Sequence, residues 1–320
     1  MYRGLKFASA AAGSAAVLLL AGCAVGGSQA PAINAPGAPL VAGASRNAKI
    51  PGRLYVSNAI SPKGNTVEVY DSGTYKHIGV ITKGVRNAEG LWVDKAGNLY
   101  VANSGGGNVT EYAPGGTTPI CTYSRKLVSP IDETTDDSGN VYVVDANHLQ
   151  TPGYIDKYKQ CDNTIAARYS IVTPPEGVAV DVQGDVFVSY LTVAGGAFEE
   201  FKNGQTTPTE LRARTSDSPG GLRLDGKGDL ISDQQGAQHK PGTIAVIAPP
   251  YKKVTTLVTG LGNPFRLALN REQTLLFNVD TLNEKVSVYQ YPSGKLLKTL
   301  GAADGVTNPG GVATSPNAAF

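Results

Sequence analysis

Charge is scarce in this sequence: 17% of its 320 residues are ionic, with 28 lysines and arginines against 26 aspartates and glutamates. Neither sign forms a run, and there is no acidic tail, so nothing points to nucleic acid as a partner. Histidine and cysteine occur three times each, without a Cys-x-x-Cys or a Cys/His cluster, which argues against a structural zinc site. No stretch keeps a helical period, so a helical domain is not expected. The one long apolar run, Phe7 to Leu20, falls short of the roughly 20 residues needed to span a bilayer comfortably. No motif of an activated nucleophile is present.

What is present begins with a signal. Arg3 and Lys6 precede the apolar run, which closes in Leu20-Ala21-Gly22-Cys23. A basic start, an apolar middle and small residues at the cut read as a secretory signal over 1–22. Leu-Ala-Gly-Cys resembles the lipobox of bacterial lipoproteins, which implies lipid attachment at Cys23 after cleavage. The resemblance, with Ala24 following, implies a membrane-anchored protein facing the periplasm or exterior, at the outer membrane in a Gram-negative cell. Loss of Arg3 and Lys6 takes the formal charge from +2 to about zero. Residues 23–50 are rich in Ala, Gly, Pro and Ser without periodicity, and read as a flexible lipidated tether.

Residues 51–320 carry a repeat. The phrase is a Pro-Gly turn, a short apolar strand ending in Asp, then Gly and a second strand. It runs Pro175-Glu176-Gly177-Val178-Ala179-Val180-Asp181, then Gly184-Asp185-Val186-Phe187-Val188-Ser189-Tyr190. Related copies start near Glu89, Ile131, Gly220 and Phe265, at intervals of roughly 42 to 47 residues, the length of a four-stranded propeller blade. The chain opens on a lone second strand, Leu54 to Asn58, and ends on a lone first strand, Pro309 to Thr314. Pairing the two completes a sixth blade and removes an open sheet edge. The expected fold is therefore all-β, a six-bladed β-propeller of four-stranded blades closed by its terminal strands. The phrase resembles that of NHL-repeat propellers over about residues 51–316, a family that spans binding platforms, scaffolds and enzymes.

In such a ring the starts of first strands and the ends of second strands meet around the axis at one mouth. The first set is Glu89, Ile131, Glu176, Gly220, Phe265 and Gly310; the second is Asn58, Asn103, Asp145, Tyr190, Asp233 and Asp280. A polar ring of this kind suits a polar ligand or a divalent cation such as calcium, although Asn and Asp also end strands by capping turns. Two blades break the phrase, with Asp132 and Arg266 where others carry Gly. These lie three blades apart, hence opposite, and either hold a charged ligand or mark blades that turn differently. Arg223 replaces an Ala and either enters the channel or pairs with a carboxylate. His148 and His239 sit in loops at the same mouth, while His77 belongs to an outer strand. The ligand-site candidates are Asp132, Arg266, Glu89, Glu176, Asp145, Asp280, Tyr190 and His239, with Cys23 for lipid. Cys121 and Cys161 fall on neighbouring blades and either bridge or stay as separate thiols.

The pattern favours a monomeric binding or scaffold module without a cofactor, taking a protein or small ligand at the mouth in the cell envelope. Two enzyme readings stand beside it. Glu89-Gly90-Leu91-Trp92 resembles the early phrase of gluconolactonase propellers, whose Glu is a metal ligand, but the Pro of that phrase and the Pro-Asn-Gly of the family are missing. A streptogramin B lyase resemblance would rest on His239 alone.

Overall fold

The computed structural model describes residues 52–59, 65–236 and 240–315. The signal, Cys23, the tether and His239 lie outside these residues.

Six four-stranded antiparallel sheets are arranged as blades. Blade 1 is made from both ends of the described chain: Arg53–Asn58 pairs with Thr66–Asp71 on one side and with Pro309–Thr314 on the other. The closing register sets Leu54 opposite Thr314, Tyr55 opposite Ala313 and Val56 opposite Val312. Ser315 adds two bonds, donating its N–H to the Arg53 carbonyl at 2.8 Å and accepting from the Arg53 N–H on Oγ at 2.9 Å. The other blades follow in chain order, and their innermost strands are Ala88–Val93, Pro130–Thr135, Pro175–Val180, Ser218–Leu224 and Pro264–Leu269. The expected ring and its closure are both observed.

The repeated Asp has a local cause. Asp94, Asp136, Asp181 and Asp225 each accept the N–H of the residue four places on, at 2.8–2.9 Å, closing the turn from first to second strand. Asn270 does the same for Thr274 in blade 6. Such turns need a short side-chain acceptor, which Asp and Asn supply. The repeated second Gly is a matter of space between blades. A Cβ on Gly177 would lie 2.6 Å from the Leu222 nitrogen, and one on Gly311 2.4 Å from the Glu89 carbonyl oxygen. Inner strands converge there toward the axis, so backbone packs on backbone.

Hydrophobic clusters fill the gaps between adjacent blades. In five gaps the inner strand contributes Leu91, Val178, Leu222, Leu267 or Val312, all about fully buried. In the gap between blades 2 and 3 the equivalent residue is Glu133, which is 0% exposed. The same gap is bridged further out by a Cys121–Cys161 disulfide with a Cα separation of 5.2 Å. Outer strands of neighbouring blades do splay, but Cys161 is on a turn, not a strand. That turn leans onto blade 2: the Cys161 N–H donates to the Tyr123 hydroxyl at 2.9 Å, and Gln160 to Glu111 at 3.0 Å.

Candidate functional site at the propeller axis

Each inner strand begins with a β-bulge against its neighbour, between Ala88 and Gly90, Pro130 and Asp132, Pro175 and Gly177, Pro219 and Leu222, and Pro264 and Arg266. Blade 1 shows the same shift between Val56 and Asn58. A bulge leaves one residue unpaired and turns its side chain. The residues so released are Glu89, Ile131, Glu176, Gly220 or Gly221, Phe265, and a Gly of Pro309-Gly310-Gly311, so the expected first-strand ring forms one mouth of the channel.

Glu89 and Glu176 are part-buried there, on the two blades that flank blade 3. Burial raises the Glu89 carboxyl above its ordinary value, opposed by Arg266 and a hydrogen bond from Ser104. Burial pushes Glu176 up to about 7; Arg266 opposes this, while Glu89, Asp233 and Asp132 add to it. Two part-exposed carboxylates therefore share the field of one guanidinium.

The second ring of candidates behaves differently. Asp145 is fully buried and accepts the N–H groups of Val128, Ser129 and Asn147 at 2.8–3.0 Å. Asp280 is fully buried and accepts those of Gly262 and Asn263 at 2.9 Å. Burial alone would raise Asp280, but these amides and Asn283 hold it below its ordinary value. Asn103 and Asn58 accept from Arg86 and Thr307 in the same way. Strand-end polar side chains thus cap the incoming loop of their own blade instead of facing the axis. Tyr190 is 7% exposed, and burial, then Glu199 and Glu210 of its own blade, raise its hydroxyl to about 12. In blade 5 the register pairs Pro219 with Gln234, so Gln234, not Asp233, takes the place that Asp145 and Asp280 hold in their blades. Asp233 lies one place earlier, fully buried, accepting from Asn278 at 3.1 Å.

Asp132 and Arg266 are both 0% exposed. Asp132 accepts a bidentate pair from Arg223, Nη1 to Oδ2 and Nη2 to Oδ1, each 3.0 Å. Arg223 therefore crosses from blade 5 to blade 3, as the channel-entering side chain and the carboxylate partner at once. Arg266 reaches across from blade 6, donating Nε and Nη2 to the Ile131 carbonyl at 3.2 and 2.9 Å. Its guanidinium stacks 4.1 Å from the centre of the Phe265 ring. The two arginines and Asp132 plug the channel below the mouth. Glu133 stands beside this plug, fully buried and with no side-chain hydrogen-bond partner; the Ala102 N–H is the one hydrogen-bonding group that lowers its carboxyl. Burial, then Asp132, push its carboxyl well above the ordinary range, against Arg223 and Arg266. Sequence reading missed Glu133, although its signal was there: five aligned copies carry Leu or Val at its place.

Beyond the plug the channel widens into a cavity of about 630 Å³, lined by the far ends of the inner strands and by none of the mouth residues. His148 is exposed on its loop, and His77 pairs with Glu68 on the outer surface at 2.7 Å. Among the described residues, three His, Cys, Asp or Glu side chains gather closely enough for a metal only at Glu111, Cys121 and Cys161, where the two sulfurs are bonded to each other.

No protein-family model and no curated protein matches the chain. Solved structures do. A chain in the nidogen–laminin complex has a TM-score of 0.65 at 15% identity, covering 83% of this chain and 99% of that one. In fold this chain is an NHL-like six-bladed propeller. A protein of unknown function from Bacteroides caccae gives 0.65 at 11%, with the same coverage of 83% and 99%. Streptogramin B lyase gives 0.52 at 12%, covering 79% of this chain and 74% of that one. At these identities the propeller carries over and its chemistry does not.

Proposed function

We propose that this propeller is a binding module of the cell envelope, monomeric and held to a membrane by lipid on Cys23. It takes a small polar ligand, or polar groups of a partner protein, at the mouth bearing Glu89 and Glu176. One observation carries the reading: of the carboxylates around the axis, Asp132, Glu133 and Asp233 are fully buried, whereas Glu89 and Glu176 keep part of their surface in solvent. Both arginines nearby are committed to Asp132 and to the Ile131 carbonyl. The unspent chemistry at this mouth is therefore acceptor oxygen, which suits an amine, a hydroxyl-rich molecule or a calcium ion.

Native mass spectrometry of protein released gently from its own membranes tests the reading. The wild type should carry a ligand that Glu89→Gln/Glu176→Gln loses, and added calcium should reveal the cation case. A ligand retained equally by the double variant would remove this mouth from the function. Fractionation tests the address: Cys23→Ala should move the protein from the membrane pellet to the soluble fraction. A variant that stays in the pellet would refute lipid anchoring.

A further inference from the structure

We propose that the clamp between blades 2 and 3 is a redox-gated metal site: once the disulfide is reduced, Cys121, Cys161 and Glu111 bind a zinc ion. One ligand atom from each of the three lies within 4.8 Å of the other two. Glu111 belongs to Asn108–Tyr112, the third strand of blade 2, and is 0% exposed. Burying a carboxylate is costly unless it is hydrogen-bonded. The bonds that hold this one come from neutral groups: the Tyr123 hydroxyl donates to Oε2 at 2.7 Å and the Gln160 amide to Oε1 at 3.0 Å. They orient the carboxylate as outer hydrogen bonds orient a metal ligand, and each oxygen keeps a further lone pair. Glu111 Oε2 is 3.8 Å from Cys161 Sγ. On tetrahedral zinc, with bonds of about 2.3 Å to sulfur and about 2.1 Å to oxygen, a thiolate and a carboxylate oxygen stand roughly 3.6 Å apart. That edge of the site is already set. Two thiolates stand roughly 3.8 Å apart on the same ion, and Cα atoms 5.2 Å apart let the sulfurs part that far by side-chain rotation.

The bridge opens by exchange with an external dithiol. Cys161 is exposed and Cys121 half-buried, so the donor thiolate attacks the Cys161 sulfur. The S–S bond breaks, and its electron pair leaves on Cys121 as a thiolate. The donor's second thiolate then attacks the mixed disulfide and releases Cys161. Two electrons have passed to the cysteine pair, the donor has become a disulfide, and its two protons go to solvent. A pair of thiolates with one carboxylate suits zinc, whereas copper(I) favours soft sulfur ligands and calcium takes oxygen. The exposed side of Cys161 leaves a fourth position open to water. Bound zinc then ties blade 2 to blade 3 in place of the disulfide. The site draws on none of the mouth residues, so it is independent of the ligand held there.

Full-length Cys23→Ala protein keeps Cys121 and Cys161 as its only cysteines. It is reduced with dithiothreitol, desalted without oxygen and titrated with zinc by calorimetry, beside the oxidised form. The reduced protein should bind one zinc ion and the oxidised protein none. Zinc should raise the melting temperature of the reduced form alone. Cobalt(II) in its place should give sulfur-to-metal charge-transfer absorption in the reduced form alone. Glu111→Gln, with its fold checked by melting of the oxidised form, should weaken zinc at least about tenfold. Glu89→Gln/Glu176→Gln should leave zinc binding as it is. An unfolded chain would chelate zinc through its thiols alone, so equal affinity in Glu111→Gln overturns the proposal even where reduction loosens the fold. Where Glu111→Gln does not fold, the two wild-type arms decide: a reduced protein that takes up no zinc, or an oxidised one that takes up as much, overturns it.

Discussion

Blades 3 and 4 are neighbours built on one phrase, and their inner strands differ at the axis. Blade 4 follows the repeat, with Gly177 against the next strand and Val178 in the apolar gap. Blade 3 carries Asp132 and Glu133 at the same two places, both fully buried. Asp132 is spent on Arg223, whereas Glu133 has no side-chain hydrogen-bond partner. Two charged residues in adjacent positions thus have opposite meanings: one completes a buried ion pair, and the other occupies a hydrophobic slot at a cost. The lesson is that strand pairing and turns tolerate wide variation at the axis, because they depend on Pro, Gly and the turn Asp.

The largest effect should come from making blade 3 resemble blade 4 at the first place. Asp132→Gly removes the carboxylate that pairs with buried Arg223, and should cost about 3–5 kcal/mol in urea denaturation. Next comes the clamp that blade 4 lacks. Cys121→Ser/Cys161→Ser removes a bridge of sequence separation 40 and should cost roughly 2–4 kcal/mol by the same measurement. At the second place the sign reverses. Glu133→Val should stabilise by roughly 1–3 kcal/mol, since a buried carboxyl without a side-chain partner gives way to the side chain that blade 4 uses.

The last comparison is of pH dependence. Burial raises Glu176, Asp233 and Glu199 to about 7 and Glu133 well above its ordinary value. The folded state then holds protons that the unfolded chain has released. These groups contribute stability fully at acid pH and lose it as pH rises from their ordinary values toward about 7. Asp136 and Asp280, held below their ordinary values, lose their contribution only in stronger acid. Thermal stability should therefore peak in mild acid and decline toward neutrality, and Glu133→Val should flatten the decline. A melting temperature that rises from mild acid to neutrality would contradict this.

Much of the fold was legible in the sequence. Pro, Gly and turn Asp recur at blade spacing, and the unmatched strands at Leu54 and Val312 need each other. The site was less legible, because one bulged residue decides which way a side chain turns. Glu89 and Glu176 sit on the bulge and reach the mouth. Asp145 and Asp280, placed nearby by alignment, turn to cap backbone amides. Asp233 was misplaced by one position, since Ser232-Asp233-Gln234 carries no apolar alternation to mark the strand end. The arginine plug was half visible: Asp132 and Arg266 stood out as broken glycines, but only distances reveal that Asp132 pairs with Arg223. The cavity beyond the plug left no local signal, because its walls come from separate blades as single Ala, Trp and Arg residues.

The central claim is that charged side chains from blades 3, 5 and 6 reach across the axis and close it. A double-mutant cycle in urea on Asp132→Gly and Arg223→Ala tests it most directly. The account predicts a coupling of about 2–3 kcal/mol, with the double variant losing far less than the sum of the single losses. Simple additivity of the two losses would contradict it.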